Sequence, residues 1–161
     1  MAYSVFHDKS LISYGIIKIK GNSLDDKLLD SFNKITELIE KHNVDVVILE
    51  DVFYSKNFTS TKSTLQTMGA LKLAVVIKDK LCYTVQATKW RKGVIKKSQR
   101  DSMKKQAVDY VNLAYQLDLE HNTNRAKSDD DIAEAILMVE GLVWGRYDIE
   151  NFTFIDEAKK T

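Results

Sequence analysis

Apolar positions change their period several times along this chain, and each change marks an element. Residues 2–6, AYSVF, read as a short strand, HDKS as a turn, and 11–20, LISYGIIKIK, as a second strand closing a hairpin. Gly21-Asn22 interrupts the run. Ser23 and Asp26 then have the spacing of a capping box, and Leu28, Phe32, Ile35 and Leu38 or Ile39 recur at helical intervals to about residue 41. Residues 44–49 lack polar alternation after Asp45, the pattern of a parallel strand buried on both faces. The polar stretch YSKNFTSTKST leads into a second helix carrying Leu65, Met68, Leu71 and Val75. LCYTVQ, 81–86, is another strand. A basic segment follows, then helices over 101–117 and 129–144 with a polar loop between them. Beyond Trp144 the alternation of Phe152 and Phe154 fits an added edge strand or part of an interface equally well.

Strands alternating with helices after an opening hairpin predict an α/β fold with a mixed sheet. Ligands of such sheets bind beyond the carboxyl ends of the strands, and Glu50 lies at one, closing the apolar part of DVVILEDVF. The 161 residues predict a single domain over 1–161, and the 44% hydrophobic content is that of a globular chain. A net charge of +1 names no partner. The lone Cys82 excludes an internal disulfide and suits a reducing compartment. No apolar run of membrane-spanning length and no signal-peptide core are present, so a cytoplasmic protein with no membrane partner is expected. The absence of a Gly-rich phosphate loop argues against a nucleotide cofactor.

The chemistry concentrates in two places. The first is acidic: KSDDDIAEAILMVEG, 127–141, puts Asp129, Asp130 and Asp131 at the start of a helix whose apolar residues are Ile132, Ile136, Val139 and Val143. Asp131 and Glu134, three apart, neighbour each other on that helix, and Ala133 and Ala135 let it approach another element closely. Taken alone, these acids read as complements to the helix dipole, and Glu50 as the start of a solvated loop. Together they form a carboxylate set suited to Mg²⁺, which takes its remaining ligands from water and phosphate. Two such ions, about 3.5–4 Å apart, suit phosphodiester hydrolysis. His7, His42, His121 and Cys82 have no zinc-ligand spacing. The second place is basic: KWRKGVIKKSQRDSMKK, 89–105, holds eight Lys or Arg and one Asp. Lys89, Arg91, Lys92, Lys96, Lys97, Arg100, Lys104 and Lys105 form a patch able to neutralise phosphates, and Arg125 and Lys127 add charge before the acidic cluster. A solvated helix face is the alternative. Trp90 within the patch fits base stacking, or an anchor to the core.

In order and spacing these motifs resemble RuvC-type Holliday junction resolvases, particularly the phage-encoded branch, with the ribonuclease H-like fold. ILEDVFYSKN looks like the family's second-acid motif, DDDIAEAI like its C-terminal D-x-x-D/E motif, and WRK and KKQAV like its basic motifs; the likeness runs from residue 2 to about 143. The resemblance implies a ribonuclease H-like mixed sheet flanked by helices. It implies Glu50, Asp131 and Glu134 as metal ligands, with glutamate at 134 where bacterial members usually have aspartate. Lys104 would lie near the scissile phosphate, Phe53 would stack on a base, Asn57 would sit in the adjoining loop, and Arg91 and Lys92 would grip the DNA backbone. Mg²⁺, as two ions and with Mn²⁺ as a substitute, a homodimer, branched DNA as partner and a phage or prophage origin in a bacterial host follow from the same likeness.

The pattern breaks at the start. The family's first acid ends its first strand in an I-D-x-S-like motif, and this sequence has no such strand: AYSVF aligns with the family's second strand and LISYGIIK with its third. Asp8, in DKS, matches only superficially, since strand direction would set it at the opposite end of the sheet from Glu50. The expectation is a first strand absent from these residues, two interior sheet edges without ladder partners, and a working protein that starts earlier; a sheet closed up around the gap is the alternative. A non-catalytic branched-DNA-binding protein of the same fold is the alternative function.

Overall fold

The computed structural model describes residues 1–51, 58–92, 94–96, 99–122, 124 and 128–147. Phe53, Asn57, Lys97, Arg125, Lys127 and the tail with Phe152 and Phe154 lie outside the described residues. In chain order the elements are β1 (Ala2–His7), β2 (Ser10–Ile16), α1 (Leu24–His42), β3 (Val46–Glu50), α2 (Phe58–Ile77), β4 (Leu81–Val85), α3 (Ala87–Trp90), α4 (Arg100–Tyr115) and α5 (Asp130–Val143). None of the described helices is long and apolar enough to cross a membrane. The chain folds as two compact units, one of Met1–Ile17 with Ala87–Asp148 and one built on Lys18–Gln86.

In the first unit β1 and β2 form an antiparallel hairpin in which His7 pairs with Ser10. The turn is tighter than the sequence pattern suggested, because Asp8 takes a left-handed conformation (φ 51°), which a short polar side chain tolerates. β2 stops at Ile16 instead of running to residue 20. Its ladder ends where Met1 and Ile17 exchange backbone hydrogen bonds of 3.1 and 2.7 Å. α5 lies against β1 and α4. It buries Ile132, Ala133, Ile136 and Leu137, α4 buries Ala107, Val108 and Val111, and β1 contributes Val5. The Ser4 hydroxyl donates to the Ala135 carbonyl (2.9 Å), fixing strand to helix.

In the second unit, residues after Ile17 serve α1: the Lys20 amide donates to Asp30 (2.6 Å) and Lys34 Nζ donates to the Lys18 carbonyl. The capping box is formed, with the Asp26 amide donating to Ser23 Oγ and the Ser23 amide to Asp26 Oδ2, both 3.0 Å. Gly21 is required here, since a Cβ on it would stand 2.6 Å from Asp26 Cβ. Ser31, Ile35 and Ile39, one residue per helical turn, face α2, which buries Leu71, Ala74 and Val75. β3 and β4 pair in parallel, Glu50 opposite Val85. The expected burial of β3 on both faces is corrected: Leu49 is buried but Val46 is exposed, because β3 has one bonded neighbour among the described residues. The described strands thus make an antiparallel pair and a parallel pair, with no ladder joining them.

Candidate active site

The acidic and basic motifs meet in the first unit, at the start of α5. Asp131 and Glu134 share one side of that helix, and each has a cation beside it. Lys104 sits on α4 one turn before the buried Ala107 and Val108, so the helix packing that forms the core also brings its ammonium to the first turn of α5. Lys104 Nζ donates to Asp131 Oδ1 at 3.0 Å and to Asp130 Oδ2. The two aspartates differ in setting: the Asp130 side chain is 5% exposed, that of Asp131 70%.

Glu134 is held by Arg91, whose Nη2 donates to Oε1 at 2.7 Å. Arg91 directly follows α3, a single turn anchored by Trp90, which is almost wholly buried. The guanidinium lies 4.7 Å from the centre of the Trp90 ring, a cation–π contact, and its buried Nε has no hydrogen-bond partner among the described residues. Trp90 is therefore an anchor, not a stacking platform for a base: its ring is packed inside the unit. Of the other basic residues, Lys92, Lys96 and Arg100 are exposed, Lys89 is half-buried, and Lys105 is exposed beside Asp109 at 2.6 Å. Gln106 holds the Lys96 backbone to α4 by accepting from its amide at 2.9 Å.

Glu50 stands in the second unit as the exposed last residue of β3. The parallel ladder closes just past it, where the Asp51 amide donates to the Val85 carbonyl (2.8 Å). Among the described residues, no three or more His, Cys, Asp or Glu side chains gather closely enough to hold a metal ion. Asp131 and Glu134 stand one turn apart on α5, each beside its own cation. Mg²⁺ is commonly held by one or two carboxylates plus water and substrate phosphate, so the pair fits one ion of that class. Asp8 is an exposed turn residue beside His7.

Three features escaped the sequence reading. Asp129 is not a side-chain cap: its carboxylate accepts from the Glu120 amide at 3.0 Å and its amide donates to the Glu120 carbonyl at 2.8 Å, fastening the preceding loop. Asp130 is the buried partner of Lys104. Glu140, also buried, accepts from Arg146 Nη2 and from the Tyr110 hydroxyl (3.3 Å), and Arg146 Nη1 donates to that hydroxyl at 3.2 Å. The signal was available: 130, 133, 137 and 140 share one face of a helix, and that face is otherwise apolar. Burial alone would lower the Arg146 pKa, but the hydrogen bond and charge of Glu140 raise it on balance.

Comparison with known proteins gives a consistent result. The family model for crossover junction endodeoxyribonuclease RuvC matches residues 3–138. The protein of that name from Wolinella succinogenes is 30% identical over 79 residues, covering 46% of this chain and 49% of that one. The one from Alkaliphilus metalliredigens is 22% identical over 143 residues, covering 79% and 82%. Against the first relatives, then, the chain spans about half their length, 49% and 42%. A solved structure of T. thermophilus RuvC in complex with Holliday junction substrate has a TM-score of 0.64 at 11% identity, covering 90% of this chain and 84% of that one. At that identity the likeness shows the fold, the ribonuclease H-like α/β arrangement expected from the motifs.

Proposed function

The chain belongs to the RuvC family of crossover junction endodeoxyribonucleases, and we propose that it is a Mg²⁺-dependent, structure-selective endonuclease. Its substrates are four-way junctions and other branched DNA, within recombination and repair. The observation that carries this is the meeting, at the start of α5, of two carboxylates one turn apart with Lys104 and Arg91. Acids that hold oxygen-seeking ions and cations that hold phosphate are the two needs of phosphodiester hydrolysis.

Asp131 and Glu134 would hold the ion, and by the family likeness Glu50, at the second-acid position of that pattern, is also a metal ligand. A second ion is part of the reading, and Mn²⁺ substitutes for Mg²⁺. The metal supplies an activated water and charge neutralisation at the phosphate. Lys104 presents its ammonium where negative charge builds on the phosphate oxygens, and is kept there by Asp130. Lys92, Lys96 and Arg100 follow as exposed backbone contacts, with Arg100 at the electropositive first turn of α4, a position that favours anions. By the family likeness Lys89, Lys97, Lys105, Arg125 and Lys127 would add phosphate contacts, Phe53 would stack on a base at the junction centre and Asn57 would belong to the adjoining loop. As partner to itself the chain forms a homodimer; on α2, Leu65, Leu73, Val76 and Ile77 make an exposed apolar stripe that supports this.

The test is cleavage of a labelled four-way junction with Mg²⁺ by the wild type, Glu134→Gln and Asp131→Asn. Strand cuts by the wild type that both variants lose establish the reading. Binding that survives in all three without cuts favours the second reading, a branched-DNA-binding protein. That reading draws on the lack of a three-acid cluster among the described residues.

A further inference from the structure

We infer that the Arg91–Glu134 ion pair is a lock on the metal site that DNA opens, so that divalent metal and DNA bind this chain cooperatively. The inference rests on the site reading above. Of Asp131 and Glu134, Glu134 is the less exposed, at 15% of its side chain against 70%, and its Oε1 is already taken by Arg91 at 2.7 Å. A divalent ion arriving at that carboxylate meets a guanidinium in its way, both as a competing donor and as a like charge. Without DNA the lock disfavours the ion.

Phosphate changes the balance. The guanidinium is a planar fork that binds phosphate oxygens through paired donors. Part of that fork is within reach of a phosphate, since the Arg91 side chain is 29% exposed. The guanidinium rests over the buried Trp90 ring, 4.7 Å from its centre, so it can turn from Glu134 without moving the backbone. A DNA phosphate reaching this edge draws the guanidinium off, and Oε1 of Glu134 loses the cation that competes with the ion. Lys104 behaves differently. Its ammonium has Asp130 as a buried second partner, so it can leave Asp131 to the metal and remain in place. The two cations therefore divide the work: Lys104 is a fixed charge, and Arg91 is the exchangeable one.

The experiment is calorimetric titration of the full chain with Ca²⁺, an ion of the same oxygen-seeking class as Mg²⁺. It is run alone and with a saturating four-way junction whose integrity is checked afterwards. In the wild type the junction tightens Ca²⁺ binding by about fivefold or more, the lower end of ordinary coupling, and Ca²⁺ tightens junction binding by the same factor. Arg91→Gln binds Ca²⁺ more tightly than the wild type without DNA and loses the coupling. Glu134→Asp keeps the carboxylate but withdraws it from Arg91, and does the same. If both variants bind Ca²⁺ no more tightly than the wild type without DNA, while Glu134→Gln weakens it, the metal site stands and the lock is wrong. If Glu134→Gln leaves Ca²⁺ binding untouched, the site reading itself fails, and the lock with it.

Discussion

Asp130 and Asp131 are adjacent in the chain and opposite in setting. Asp130 falls on the face of α5 that carries Ala133 and Leu137, so it is buried and satisfied by Lys104; Asp131 falls on the side of Glu134 and meets solvent. Removing one partner of a buried pair leaves an uncompensated charge, whereas an exposed pair contributes about 0–1 kcal/mol. Asp130→Asn is therefore expected to cost about 3 kcal/mol in urea unfolding, and Asp131→Asn under about 1 kcal/mol while weakening divalent binding. The carboxyls of Asp26 and Asp30 lie below their ordinary value of 3.8. The Ser23 side chain is the leading cause for Asp26, and Lys34 for Asp30. A depressed carboxyl stabilises the fold above its unfolded value and loses that contribution as pH falls through the folded one. Between about pH 6 and about pH 3 the wild type is thus expected to lose more stability than a Ser23→Ala, Asp30→Asn double variant, read as the shift in urea midpoint.

At the scale of elements, α5 is the piece on which everything in the first unit depends. Its start carries the acids, its middle the core, and its end the Glu140–Arg146–Tyr110 network. Burial holds the Tyr115 and Tyr147 phenols well above their usual range, and for Tyr115 the charge of Glu140 adds to it. The last turn of α5 is closed by Tyr147, whose hydroxyl donates to the Met138 carbonyl and whose ring lies over Gly141. A Cβ at 141 would stand 2.5 Å from that ring. Gly141→Ala is expected to destabilise by about 1–3 kcal/mol through overpacking, measured by thermal or urea unfolding. α2 presents the opposite case, a helix with Leu71, Ala74 and Val75 buried and Leu73, Val76 and Ile77 exposed. If that stripe joins two copies, Leu73→Lys converts a dimer to a monomer in analytical ultracentrifugation without loss of helix content.

For the whole molecule, a net charge of +1 conceals a cationic edge, and DNA binding is expected to report the edge, not the total. Each phosphate contact contributes roughly 0.9 to the slope of log affinity against log salt, so Lys92→Gln with Lys96→Gln is expected to flatten that slope by about 2 in a fluorescence titration. The sequence by itself determined the order of the described strands and of the four longer helices, the Ser23–Asp26 cap and the spacing of Asp131 and Glu134 one turn apart. All three are set by residues within one or two turns of each other, where hydrophobic period and side-chain reach act directly. It also carried enough of the family pattern for the fold to be read from it. Only the tertiary structure decided which acids are paired and with what. Lys104 and Asp130 are 26 residues apart, and Arg91 and Glu134 are 43 apart, so their meeting depends on how α3 and α4 pack against α5. The same packing made Trp90 an anchor, because burial is set by segments far away in the chain.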